Sequence, residues 1–165
     1  DWYLIPDVID GDEADNDALL DGWPNGVPVW HLHESLSRLE RLCHEFPRVA
    51  FGSSGAYAVV GNSSWWGRMT DAMGVACDSN GRPLAKLHGL RMLDPTIFSH
   101  LPFSSADSTN VARNIGIDNA WKNVPYATAS KITRALILME RIEQHASASR
   151  WCDTRGVKQN MELFG

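Results

Sequence analysis

The apolar positions of this chain fall into short runs that alternate with stretches of helical spacing. Runs rich in β-branched and aromatic residues predict about five strands, at 2–9, 27–33, 49–51, 84–90 and 102–107. Apolar residues at helical spacing predict helices at 34–46, 64–76 and 127–145, and Asp94 with Pro95 predicts the start of a short helix. This alternation of strand, loop and helix is typical of parallel βα units in an α/β fold.

The length of the chain limits how these units can be arranged. An eight-stranded βα barrel uses about 250 residues, whereas this chain has 165. The sequence therefore predicts the C-terminal part, about five strands, of a TIM (β/α)8 barrel; an open doubly wound sheet is the alternative. No linker or low-complexity stretch interrupts the chain, so residues 1–165 are predicted to form a single domain.

Composition excludes two broad classes of protein and predicts a compartment. Mean hydropathy is −0.25 and charged residues make up 21% of the chain, which argues against both a disordered tail and a membrane protein. Three scattered cysteines do not suggest a disulfide framework, so we expect a reducing, cytoplasmic setting.

Charge is distributed unevenly along the chain. The net charge is −5, yet most of the charged residues in 1–47 are acidic and most of those in 108–165 are basic. The basic residues of 108–165 would allow this part of the chain to bind the phosphate backbone of a nucleic acid. Alternatively, they lie on ordinary solvated helix faces.

Candidate chemistry lies where the predicted strands end, because the active sites of parallel α/β proteins collect at the carboxyl ends of their strands. The polar and glycine residues at those ends include the candidate site residues Asp7, Asp10, His31, His33, Gly52, Ser53, His88 and Asp107. Carboxylates at separate strand ends, facing a Gly/Ser turn with available N–H groups, suit the binding of a polar heterocycle and nucleophilic chemistry. Asp107 as a turn cap, and Gly52–Gly55 as a simple tight turn, are the alternatives.

Metal and nucleotide motifs are weak or missing. The acidic loop 10–17 fails the EF-hand pattern, because Ala14 stands at its fifth position and no glycine stands at its sixth. His31 and His33 share one face of a strand, but two ligands without a third make a poor zinc site. The sequence contains no GxGxxG, P-loop, GxSxG or HExxH motif. We therefore predict a site without metal.

Taken in chain order, the strand-end segments resemble the motifs of the tRNA-guanine transglycosylase (queuine and archaeosine transglycosylase-like) family. Its FDECTP-, VQG-, IGGL-, LMG- and DxFDCVLPTRNAR-type segments correspond here to IPDVID (5–10), VWHLHES (29–35), AFGSSG (50–55), KLHGLRMLDP (86–95) and FSSADSTNVARN (103–114). The forms of these segments are most similar to a divergent branch of phages and bacterial mobile elements. That branch is associated with placing 7-deazaguanines in DNA.

The resemblance implies a fold and a reaction. The family is built on a (β/α)8 barrel, and its members are pentosyltransferases that exchange guanine for a 7-deazaguanine without a cofactor. Asp107 would be the nucleophile that attacks C1′ of the target guanosine and forms a covalent glycosyl-enzyme intermediate. Asp7, with Asp10 as the fallback, would accept hydrogen bonds from the base. The target base would have to leave its stack to reach such a pocket.

The remaining strand-end residues would line the base pocket. Gly52 and Ser53 would donate backbone hydrogen bonds to O6 of the base. His31 or His33 stands where the family has glutamine, and His88 lies on the LMG-type strand.

Several departures from the family pattern shape the prediction. The CxCxxC zinc motif is missing, which favours DNA over tRNA as the substrate. The TDSGGFQ-type segment, with the family's general-base aspartate, is also missing, and the chain begins at Asp1 rather than at methionine. The expected partners are therefore nucleic acid, a free 7-deazaguanine base, and an N-terminal barrel portion or another chain. Base exchange on tRNA, a non-catalytic barrel subunit and a βα-barrel glycoside hydrolase that uses Asp7 and Asp107 are the alternatives.

Overall fold

The computed structural model describes residues 1–8, 11–108 and 130–153. Its strands are β1 (Tyr3–Leu4), β2 (Gly26–Val27), β3 (Val29–His31), β4 (Arg48–Gly52), β5 (Lys86–Gly89) and β6 (Phe103–Ala106). Its α-helices are α1 (Glu13–Asp17), α2 (Leu36–Glu45), α3 (Ser63–Ala76), α4 (Pro95–Phe98) and α5 (Lys131–Glu143), and short 3₁₀ turns cover Leu20–Gly22 and Gly55–Tyr57. The described part of the chain therefore has the alternating α/β order that the apolar pattern predicts.

All of the paired strands are parallel and follow one another in chain order. β1 pairs with β2, and β3, β4, β5 and β6 form a second sheet in that order. Only Pro28 separates β2 from β3, and its carbonyl accepts a hydrogen bond from the amide of Ala50 on β4. The prediction of parallel βα units is confirmed at this level.

One face of the second sheet is covered by helices α2 and α3. Trp30, Phe51 and Leu87 point from successive strands into this layer, together with Leu39 and Leu42 of α2. All five are fully buried, and burying a side chain of this size stabilises the fold by about 1.5–3 kcal/mol. Side chains at alternate strand positions must then lie on the opposite face of the sheet, away from this core.

Side chains from separate strands meet on that opposite face. Trp2, next to β1, makes an edge-on contact with His88 of β5, with ring centroids 5.0 Å apart. The guanidinium of Arg48 on β4 lies 4.6 Å from the centroid of the same indole. Trp2 therefore connects the segment that leads into β1 with β4 and β5 of the second sheet.

Several element boundaries differ from the predicted ones. The first strand ends at Leu4, and Pro6 beyond it has no N–H for a strand ladder. The run at 27–33 is interrupted at Pro28 and ends at His31. Helix α2 begins after Ser35, whose hydroxyl caps the amide of Arg38, and not at Glu34.

The acidic segment 10–17, which the sequence predicts to be a loop, contains the short helix α1. Asp12 caps α1 and forms a capping box with Asp15, which satisfies amides that a helix of five residues leaves unpaired. At the other end of the chain, α5 begins at Lys131, and the predicted start of that helix at 127–129 lies outside the described residues. No helix within 1–8, 11–108 and 130–153 combines the length and apolarity needed to cross a membrane.

Candidate functional site

The face of the sheet opposite α2 and α3 is polar at the carboxyl ends of its strands. His31 ends β3, His88 lies near the end of β5, and Asp107 directly follows β6. Asp7 follows β1, and its side chain reaches His31. The structure thus groups the predicted residues into two pairs of one carboxylate and one imidazole.

The first pair joins Asp7 to His31. Oδ2 of Asp7 lies 2.9 Å from Nε2 of His31, and the Asp7 side chain is 48% exposed. Nδ1 of His31 is buried, and no hydrogen-bond partner for it lies among the described residues. An imidazole with its proton on Nε2 satisfies Asp7 and leaves only a lone pair on Nδ1, whereas a proton on Nδ1 would be buried without an acceptor. The half-exposed carboxylate is then a hydrogen-bond acceptor at the mouth of the site.

Gly52 makes room for this arrangement. In the parallel register, Gly52 is the partner of His31. A Cβ atom at position 52 would lie 2.6 Å from Nδ1 of His31, closer than side-chain atoms approach one another. The glycine of the AFGSSG segment therefore has a packing role that is visible in the structure.

His33 and Ser53 take different directions. His33 is exposed, its Nδ1 lies 2.6 Å from the hydroxyl of Ser54, and its ring stacks on His31 with centroids 5.7 Å apart. The hydroxyl of Ser53 accepts a hydrogen bond from the indole Nε1 of Trp65, a buried core residue. The side chain of Ser53 thus serves the helix layer, and only its backbone remains for the predicted role. Asp10 lies outside the described residues.

A buried ionic network holds the first pair in place. Glu34 and Arg38 are almost completely buried and form an ion pair with 2.6 Å between Oε2 and Nη1. Glu34 also accepts a hydrogen bond from the backbone amide of His31. Asn16 donates a hydrogen bond to Glu34 and accepts one from the amide of Val8, so it links the segment carrying Asp7 to the turn that follows His31. Sequence analysis missed this network. Its signal in the sequence was an arginine, Arg38, among the apolar positions of a helix, four residues after a carboxylate that precedes the helix.

The acidic loop takes part in the same network. Asp17 pairs with Arg38 and Arg41, and Glu13 accepts hydrogen bonds from the amide and hydroxyl of Ser35. These carboxylates therefore brace α1 against α2. In the described part of the chain, no three His, Cys, Asp or Glu side chains are grouped closely enough to hold a metal ion.

The second pair joins Asp107 to His88. Oδ2 of Asp107 lies 3.3 Å from Nε2 of His88, and Oδ1 accepts a hydrogen bond of 2.8 Å from the backbone amide of Arg91. Arg91 has φ 60°, a left-handed conformation that costs a residue with a side chain about 1 kcal/mol or more. Both carboxylate oxygens are thus held, although the side chain is 53% exposed. A fixed, solvent-accessible carboxylate is suited to act as a nucleophile.

A β-bulge directs Asp107 toward this face. Leu87 pairs with Phe103, but the next residue of β5, His88, pairs with Ser105, so β6 has one extra residue at Ser104. Phe103 packs in the core. Without the bulge, Ser105 and Asp107 would share its orientation; with the bulge, they lie on the face of His88.

A separate cavity lies on the helical side of the molecule. It has a volume of about 610 Å³ and is lined by Trp66 and Thr70 of α3, His100 after α4, and Arg150 and Trp151. None of the strand-end residues lines it. The sequence analysis did not predict this cavity.

Comparison with models of known protein families, with curated proteins and with solved structures finds no match to this chain. The resemblance to the guanine transglycosylases therefore rests on the sequence motifs alone.

Proposed function

We propose that this chain carries the base-exchange site of a guanine transglycosylase that acts on DNA. The observation that carries the proposal is the placement of Asp7 and Asp107. Each lies beyond the carboxyl end of a strand, each is about half exposed, and each is held by a histidine. These are the positions at which the family motifs, matched segment by segment, have a base-binding and a nucleophilic aspartate.

The reaction would proceed in two displacements at C1′. An oxygen of Asp107 attacks C1′, the C1′–N9 bond breaks, and guanine leaves with the electron pair and takes up a proton. The incoming 7-deazaguanine then loses its N9 proton and attacks C1′, which releases the carboxylate of Asp107. Two inversions give net retention at the sugar, and no cofactor is consumed.

Recognition of the base would fall to the first pair. The carboxylate of Asp7 accepts from the N1–H and exocyclic amine of guanine, which a 7-deazaguanine also offers. His31, one of the two histidines that stand at or near the place of the family glutamine, holds that carboxylate through Nε2. Hydrogen bonds to a charged acceptor contribute about 1.5–3 kcal/mol each, enough to select bases with this donor edge.

We propose that the parallel strands belong to a (β/α)8 barrel. The sequential strand order β3-β4-β5-β6 favours a barrel over a doubly wound sheet, whose strand order reverses. Exposed apolar side chains, Tyr3 and Leu4, lie on β1 at the edge of the described sheet. The remaining strands would come from an N-terminal portion or another chain, because an exposed apolar edge favours pairing.

Guanine exchange tests the function without knowledge of the incoming base. The protein, together with the N-terminal portion or partner chain that supplies the remaining barrel strands, is incubated with radiolabelled guanine and either guanine-containing DNA or tRNA, and the label in the nucleic acid is counted. We expect incorporation into DNA by the wild type and by Glu40→Gln, a control at an exposed position of α2. Asp107→Asn should incorporate none and should form no covalent DNA adduct that survives denaturation.

Other outcomes have distinct meanings. Incorporation into tRNA alone would replace DNA by tRNA as the substrate. A folded wild-type protein that includes the remaining barrel strands, but labels neither nucleic acid and forms no adduct, would overturn the transglycosylase proposal and leave a non-catalytic barrel subunit.

A further inference from the structure

The nucleophile proposed above lies at the end of a chain of hydrogen bonds that crosses three strands. Nη1 of Arg48 on β4 lies 3.0 Å from the hydroxyl of Ser105 on β6. The same hydroxyl lies 2.8 Å from Nδ1 of His88 on β5, and Nε2 of His88 lies 3.3 Å from Oδ2 of Asp107. Each link joins side chains on the polar face of the sheet.

The acceptor and the donor at the two ends set the direction of this chain. A carboxylate only accepts, so Nε2 of neutral His88 carries the ring proton and donates to Oδ2 of Asp107. Nδ1 then has only a lone pair and accepts from the hydroxyl of Ser105. A guanidinium only donates, so the same hydroxyl accepts from Arg48.

The surroundings favour one fixed ring orientation. The His88 side chain is 7% exposed, and the ring of Trp2 packs edge-on against it. Trp2 is itself stacked under the guanidinium of Arg48, which is the first member of the chain. The bulge at Ser104 brings Ser105 opposite His88. These contacts restrain both ends of the imidazole.

We infer that Arg48, Ser105 and His88 are positioning residues that fix the tautomer of His88 and thereby orient the carboxylate of Asp107 for attack on the sugar. The inference rests on the proposed function for its catalytic consequence, but the tautomer follows from the geometry alone. The LMG-type strand of the transglycosylases has methionine at the position of His88, so the arrangement is a feature of this chain.

The tautomer can be measured without substrate. Two-bond ¹H–¹⁵N spectra of the histidine rings, recorded where the imidazoles are neutral, distinguish a protonated from an unprotonated ring nitrogen. The signals of His88 are those lost in His88→Gln. We expect a protonated Nε2 and an unprotonated Nδ1 in the wild type. A proton on Nδ1 would overturn the inference, whatever the activity of the protein.

Adjacent serines supply a matched pair of variants. Ser105→Ala removes the donor to Nδ1, and we expect a mixture of tautomers and covalent adduct formation slower by about tenfold, the loss expected for one hydrogen bond. Ser105→Thr keeps a hydroxyl and should restore both. Ser104→Ala removes a hydroxyl that also accepts from Arg48 but donates to the carbonyl of Leu87, so it should change neither.

The two proposals fail separately. If Ser105→Ala and Ser104→Ala give the same tautomer and the same rate, the positioning role is wrong while base exchange stands. If the wild type forms no adduct but His88 has its proton on Nε2, the proposed function fails and the hydrogen-bond chain stands as a structural feature.

Discussion

The carboxylate of Asp7 and the imidazole of His31 pair across the ends of two strands, with 2.9 Å between Oδ2 and Nε2. The pair is asymmetric, because Asp7 is half exposed and His31 is mostly buried. His31 therefore fixes one oxygen of a carboxylate whose outer surface remains open to a ligand. Under the proposed function, this carboxylate would be the acceptor for the base, and His31 would hold it.

Asp7→Asn should weaken binding of the free base. The amide places an N–H₂ group where guanine presents its own donors, so the variant loses charge-assisted hydrogen bonds and gains a donor–donor conflict. We expect affinity for guanine to fall by about a hundredfold, measured by titration calorimetry. Glu40→Gln removes an equal charge from an exposed position and should leave affinity unchanged. Equal affinity of Asp7→Asn and wild type would exclude Asp7 from the base pocket.

Gly52→Ala should displace His31. The added methyl would lie 2.6 Å from Nδ1, so either the ring or the strand must move. We expect a loss of about 1–3 kcal/mol in the free energy of unfolding, with a changed ring environment of His31 in NMR spectra. Gly74→Ala is the control, because its Cβ meets nothing within 4 Å on the exposed face of α3. It should stabilise the protein by about 0.5–1 kcal/mol. A Gly52→Ala variant as stable as the wild type would contradict the close packing.

Sequence pattern sufficed for the order of the strands and for the residues at their ends. The β-branched and aromatic runs correspond to real parallel strands, and Asp7, His31, His88 and Asp107 lie where strand ends were expected. This succeeded because burial of one sheet face imposes an apolar periodicity that needs no tertiary information. The roles assigned to these residues stay predictions.

Features that depend on contacts between distant parts of the chain could not be predicted from the apolar pattern. Strict alternation would orient Ser105 and Asp107 like the buried Phe103, and only the bulge at Ser104 reverses them. The hydroxyl of Ser53 binds Trp65, a contact between a strand end and a helix that the local sequence does not encode. The helix at Glu13–Asp17 is too short to show apolar periodicity, and a capping box with two aspartates defines its start.

Arg38→Met should destabilise the chain strongly. Arg38 and Glu34 side chains are each 2% exposed, and removal of the cation leaves Glu34 buried without its charge partner. We expect the free energy of unfolding to fall by about 3–5 kcal/mol, measured by denaturant unfolding. The position of His31 should also change, because Glu34 accepts a hydrogen bond from its backbone amide. Arg41→Met is the matched control on the same helix, because Arg41 is 39% exposed and pairs at the surface. It should lose about 1 kcal/mol or less, and equal losses for both variants would argue against the buried network.

The cysteines should differ sharply in reactivity. Burial raises the pKa of the Cys43 thiol to about 12, with a further contribution from Cys77, and burial together with Asp78 raises the pKa of Cys77 to about 12. Cys152 is exposed. Because the thiolate is the reactive species, iodoacetamide should label Cys152 alone in the native chain and all three residues after unfolding. The number of alkylated cysteines is measured by mass spectrometry of the intact protein.

The same pKa shifts predict how stability depends on pH. The unfolded thiols ionise near 9, whereas the folded ones keep their protons to about 12, so the unfolded state binds fewer protons between these values. The free energy of unfolding should therefore decrease as pH rises above about 9. A Cys43→Ala, Cys77→Ala double variant should show a smaller decrease over that range. An identical slope in wild type and double variant would show that the pKa values of these thiols are the same in the folded and unfolded states, contrary to their burial.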